Sequence, residues 1–151
     1  MPIQQPSTIK DTGTVVTFTT PTLFVDGIKD NAVLAGWTVV SGASGDWMLQ
    51  SALFNGNRMR VRVYQTGGAC ARMTCQKIDG TQAQTTDLFV LPGVAWRLIF
   101  YEMQLIGFVP GAEVNRGFFI ATAPWTNTLV QGSPTPVIHA QCNSQNDGDA
   151  T

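Results

Sequence analysis

The chain has 151 residues, enough for one domain whose hydrophobic core needs neither metal nor disulfide to hold it together. Hydrophobic residues make up 44% of it but charged ones only 13%, and nine basic against ten acidic residues leave a net charge of -1. So balanced a charge excludes direct nucleic-acid binding as the main activity, and so thin a charged exterior points to surface covered by other protein.

Residues 1–11 are polar and interrupted by Pro2 and Pro6, with Ile3 and Ile9 as almost their only apolar groups, so they are expected to form an N-terminal arm. The opening Met1-Pro2-Ile3-Gln4-Gln5-Pro6 lacks the basic and apolar regions of a secretory leader. No apolar run approaches the roughly 20 residues of a membrane helix. A soluble protein that starts out in the cytosol, with no membrane partner, is the expectation.

The run 14–20, Thr-Val-Val-Thr-Phe-Thr-Thr, is rich in β-branched residues and predicts a strand. Thr20-Pro21 then has the form of a helix cap followed by proline at the first helical position. Phe24, Ile28, Ala32 and Ala35 follow at helical spacing, and Gly36 stands where a left-handed residue ends a helix, so one short helix is predicted over about 22–35. Gly27 inside it costs about 1 kcal/mol against alanine, which tertiary packing must offset.

Strands are predicted next at 37–40, 47–53 and 58–64, the last two joined by the turn residues Asn55-Gly56. In the 58–64 strand Met59, Val61 and Val63 fall on one face and Arg58, Arg60 and Arg62 on the other. Gly67-Gly68 reads as a hairpin turn. Residues 70–78 and 85–91 form a second predicted hairpin around Asp79-Gly80. The apolar stretch 96–109 is read as two strands with a bend, because Gly107 weakens a helix and Ile99, Phe100, Tyr101, Ile106 and Val109 favour strand. A strand at 117–122 is expected to pair next. Beyond Trp125 the composition turns polar, and 131–151 is expected to be a C-terminal extension.

The fold class that follows is mainly β, a sandwich or barrel-like arrangement of antiparallel sheets with one short N-terminal helix, forming a single domain over 12–130.

Chemistry is sparse. The one histidine, His139, lies in the polar extension, and no Gly-x-Ser-x-Gly elbow supports a triad. Cys70 and Cys75 are five apart, so on one strand they face opposite sides and cannot clasp one metal. With Cys142 the cysteines are odd in number and are read as reduced thiols. No Gly-rich phosphate loop is present, and Asp46, Asp79 and Asp87 each sit beside a turn or strand end. No enzyme activity, metal or organic cofactor is expected.

Three guanidinium groups on one strand face repel unless they are solvated or paired. Beside the plain reading of a solvated strand, the Arg58, Arg60 and Arg62 row is a candidate subunit interface, with Glu102 or Glu113 of a neighbour opposite it. Trp37, Trp47, Trp96 and Trp125 allow an alternative, a carbohydrate-binding β-sandwich module that stacks sugars on surface tryptophans, although each lies beside a strand, where core packing is the plainer use.

The stretches Gly36-Trp37-Thr38-Val39-Val40-Ser41-Gly42, Gly45-Asp46-Trp47-Met48-Leu49-Gln50-Ser51, Arg60-Val61-Arg62-Val63-Tyr64 and Phe108-Val109-Pro110-Gly111 resemble small virion proteins of tailed bacteriophages. The resemblance runs from about residue 22 to 130 and leaves out the segment from Gln131 onward. It implies a non-enzymatic structural subunit of a phage particle, assembled in the host cytoplasm with copies of itself and other virion proteins. Tail, neck or baseplate is favoured over capsid decoration. The resemblance carries over no catalytic residue.

Overall fold

The computed structural model describes residues 9–11, 16–52, 58–68, 70–77, 84–89, 94–101, 104–108, 116–122 and 136–142. They form strands β1 (Ile9–Asp11) and β2 (Val16–Phe18), helix α1 (Pro21–Leu34), then β3 (Thr38–Ala43), β4 (Asp46–Gln50), β5 (Met59–Gly67), β6 (Cys70–Lys77), β7 (Gln84–Phe89), β8 (Val94–Tyr101), β9 (Gln104–Phe108), β10 (Arg116–Thr122) and β11 (Pro136–Cys142). The mainly β class with one short helix, predicted from the sequence, is the class observed.

The strands make two sheets. One has five strands in the order β3, β4, β5, β6, β7, every neighbour antiparallel and consecutive in the chain. The other has six: β8, β9, β10 and β11 follow in chain order, and β1 and β2 share the remaining edge of β8. The predicted bend in 96–109 is the tight β8–β9 hairpin, with Tyr101 opposite Gln104. At one side of the molecule β11 runs alongside β7.

Helix α1 begins where the threonine-proline pair dictates. The Thr20 hydroxyl oxygen accepts from the Leu23 N–H at 3.2 Å, and Pro21, which has no N–H to leave unsatisfied, opens the first turn. It ends in a Schellman turn: the Gly36 N–H donates to Val33 C=O at 3.0 Å and the Trp37 N–H to Ala32 C=O at 2.9 Å, with Gly36 at φ 88°. That turn delivers Trp37 into the core, its ring edge-on to Phe100 at 5.6 Å.

The core is shared by helix and both sheets. Phe24, Val25, Ile28 and Ala32 of α1 join Leu49, Met59, Val61, Val63, Ala71 and Met73 of the five-stranded sheet and Trp96, Leu98, Phe100 and Leu105 of the other. Phe24 is the link, its ring 5.2 Å from both Phe18 and Trp96. Fully burying such a side chain contributes about 1.5 to 3 kcal/mol. The cost of Gly27 in the helix has a packing reason: a Cβ there would lie 2.3 Å from Cε1 of Phe18, so only glycine admits that ring.

Both segments expected at the termini of the domain contribute a strand to the six-stranded sheet. The last three residues of the predicted arm, Ile9 to Asp11, are β1, and the Arg97 guanidinium grips Asp11 with two hydrogen bonds, from Nε at 2.9 Å and from Nη2. The predicted C-terminal extension contains β11, whose seven residues all pair with β10. Backbone pairing along a sheet edge satisfies main-chain groups whatever the side chains, and within the polar extension Val137-Ile138 is the local strand-forming pair. Residues 1–8, 12–15 and 143–151 lie outside the described residues, as do the Asn55-Gly56 and Asp79-Gly80 turns.

Candidate functional site

The alternation read from the sequence is what β5 shows: Met59, Val61 and Val63 are buried, while Arg60 is half-buried and Arg62 exposed. The sheet register extends this outer face into rows. Asp46, Tyr64, Arg72 and Asp87 stand side by side, then Met48, Arg62, Thr74 and Thr85, then Gln50, Arg60 and Gln76.

Two aspartates neutralise two of these arginines within the chain. Arg62 donates from Nε and Nη2 to the two Asp46 oxygens at 2.9 and 2.7 Å and lies 4.3 Å over the Tyr64 ring. Arg72 grips Asp87 the same way at 2.6 and 2.8 Å. The hydrogen bond from Arg62 holds the Asp46 carboxyl below the usual range, and that from Arg72 does the same for Asp87. Arg58 and Arg60 carry no ion pair among the described residues. Of the arginine row, one guanidinium is therefore paired within the chain, and two have no ion pair among the described residues. Glu102 and Glu113, the expected counter-charges, lie outside the described residues.

Trp37 and Trp96 are buried, and Trp47 is half-buried with its indole N–H bonded inside the chain, so the described residues present no exposed tryptophan platform for a sugar; Trp125 lies outside them. Cys75 is buried and Cys70 half-buried on β6, consistent with the opposite faces expected for their spacing. His139 sits in β11 opposite Phe119. Among the described residues no group of three His, Cys, Asp or Glu side chains could hold a metal ion, and no helix is long and apolar enough to cross a membrane.

The feature that sequence reasoning missed is the exposure of β3, the strand predicted at 37–40. This strand forms one edge of the five-stranded sheet, and all six of its residues are exposed. Among the described residues the exposed large hydrophobic ones are concentrated there and on the helix that leads into it: Val33 at 46% exposure, Leu34 at 67%, Val39 at 41% and Val40 at 43%, with Leu23 at 50% earlier in α1. Val39 faces the same side of the sheet as its buried partner Leu49, the side on which the helix packs. The helix does not cover it, so an apolar shelf borders the open edge. The signal in the sequence was Thr-Val-Val-Ser-Gly-Ala, a β-branched run without a single charge between two glycine turns.

The turn that follows this edge is tied to the helix. Asp26 of α1 accepts from the Ser44 hydroxyl at 2.6 Å, from the Gly45 N–H at 2.9 Å and from Trp47 Nε1 at 2.7 Å, fastening the β3–β4 turn to the helix. Burial works against ionisation of this carboxyl, but the three hydrogen bonds and nearby Lys29 outweigh it and hold the group below its ordinary value. Gly42, at φ 132°, brings its backbone so close to Asp46 that a Cβ would meet the Asp46 carbonyl oxygen at 2.2 Å.

No family model, no curated protein and no solved structure matches the chain.

Proposed function

We propose that the chain is a non-enzymatic structural subunit that assembles with copies of itself and with neighbouring proteins of a bacteriophage particle, in its tail, neck or baseplate. The observation that carries self-assembly is the exposed, uncharged β3 edge beside Val33, Leu34, Val39 and Val40. An open strand edge offers unpaired N–H and C=O groups, and folded proteins that stay monomeric guard such edges with lysine, proline, a bulge or a covering segment. β3 contains neither lysine nor proline, and its one register shift, at Val40, leaves the rest of the strand regular.

The outer face of the same sheet supplies a second contact of different character. Arg58 and Arg60 are placed to take a neighbour's carboxylates, fixing orientation more than affinity. The scarcity of charge over the whole chain fits a surface that is covered in an assembly. Placement in a phage particle rests on the resemblance of the Gly-Trp, Trp-Met-Leu-Gln and Arg-Val-Arg-Val segments to small virion proteins.

Two measurements test the proposal in turn. Native mass spectrometry of the purified chain should find multimers. Quantitative mass spectrometry of phage particles purified from the host that produces this chain should find it at a fixed copy number per particle; its presence in the soluble lysate alone would contradict the virion assignment.

A further inference from the structure

We infer that β3 pairs antiparallel with β3 of a second copy about a molecular two-fold axis, joining two five-stranded sheets into one continuous sheet. The inference deepens the self-assembly reading above and rests on it.

The edge requires a strand. Among the described residues nothing hydrogen-bonds to the outer side of β3, and the register with β4 passes from Val39 to Ser41, leaving Val40 without a partner residue on β4. Backbone groups spaced along an edge are met in full only by another extended chain. Side chains on both sides of β3 are exposed, so an incoming strand meets apolar surface as well as main-chain groups.

Size and charge identify that strand as part of a second copy. Six strand residues extend about 20 Å, so their edge alone covers on the order of 200 Å². A stable interface needs about 800 Å² from each partner. A bare peptide on β3 falls well short, whereas a second copy brings its own Val33, Leu34, Val39 and Val40 to the same contact. The segment Thr38–Ala43 has no charged residue and the whole chain carries a net charge of only -1, so juxtaposing two copies sets no like charges against each other on the strand and little repulsion overall. Antiparallel pairing of identical strands is also what a two-fold axis produces, since each residue then contacts its counterpart's partner reciprocally.

The test combines sedimentation equilibrium and hydrogen exchange on the full chain over a dilution series, for the wild type, Val40→Lys and a control, Thr19→Lys, at an exposed position between β2 and α1. The wild type is expected to associate, and the amides of 38–43 to exchange more slowly as association proceeds. Val40→Lys, which sets two ammonium groups near the axis, is expected to weaken association about 100-fold or more with an unchanged circular-dichroism spectrum. Thr19→Lys is expected to associate as the wild type does. If the wild type associates but Val40→Lys does so equally well and the 38–43 amides stay indifferent to concentration, the strand pairing is wrong while self-assembly stands. A wild type that is monomeric at every concentration overturns both. Protection of 38–43 that appears only when another virion protein is added overturns the second copy as occupant. Should Val40→Lys fail to fold, the wild-type exchange series decides alone.

Discussion

The carboxylate of Asp26 accepts a hydrogen bond from the indole N–H of Trp47 at 2.7 Å, across 21 residues of chain. Through this contact and those from Ser44 and Gly45, one helical side chain sets the position of the β3–β4 hairpin, and so of the edge proposed to bind a second copy.

Asp26→Ala is therefore expected to destabilise the fold by about 2 kcal/mol, because it leaves the Gly45 N–H and Trp47 Nε1 without their acceptor. Asp26→Asn, which keeps one acceptor oxygen, should lose less. Denaturant midpoints order the three proteins, and exchange at Gly45 reports whether the turn itself has loosened.

Stability should fall in acid. The carboxyls of Asp26, Asp46 and Asp87 are all held below the ordinary value of 3.8 in the folded chain. A depressed folded value means that the unfolded chain takes up protons first, so the stabilisation is complete above the ordinary value and is lost as pH falls through the folded ones. Denaturant midpoints at about pH 6 and about pH 3 should differ in that direction, and the difference should shrink in Asp26→Asn.

Gly27→Ala sets helix propensity against packing. In an open helix the change would gain about 1 kcal/mol. Here the new Cβ meets the Phe18 ring, which is itself buried, at 2.3 Å, and overpacking of this kind costs about 1 to 3 kcal/mol. Net destabilisation is expected, together with rescue in Gly27→Ala/Phe18→Leu; a double-mutant cycle that finds the two sites additive would contradict the contact.

Gly42→Ala should be the most damaging small change in the hairpin. The obstructing atom is the Asp46 backbone carbonyl rather than a movable side chain, and φ 132° is already unfavourable for alanine. Loss of the near-ultraviolet signal of Trp47 with the rest of the core retained would place the damage in this turn.

What the sequence revealed, it revealed through local chemistry. Thr20-Pro21 and Gly36 bracketed α1 to within a residue at each end because caps are set by neighbours in the chain. The Met59, Val61, Val63 alternation disclosed the inner face of β5 for the same reason. What stayed hidden depends on register and on what covers what. That Arg62 is claimed by Asp46 follows from the diagonal geometry of β4 against β5, which no spacing along one strand displays. β1 has three residues, and β11 is an apolar-containing stretch set within a polar extension; both pair along the backbone of β8 and β10. Val39 and Val40 lie in a predicted strand whose burial the sequence does not announce, and the position of β3 at the sheet's edge leaves them exposed.

Self-association of the purified chain is the most direct test of the central claim. Sedimentation velocity over a concentration series should show a single-chain species giving way to a dimer and then to larger discrete multiples, with Val40→Lys arrested at the first step. One sedimenting species of single-chain mass at all concentrations, unaltered by the substitution, would contradict it.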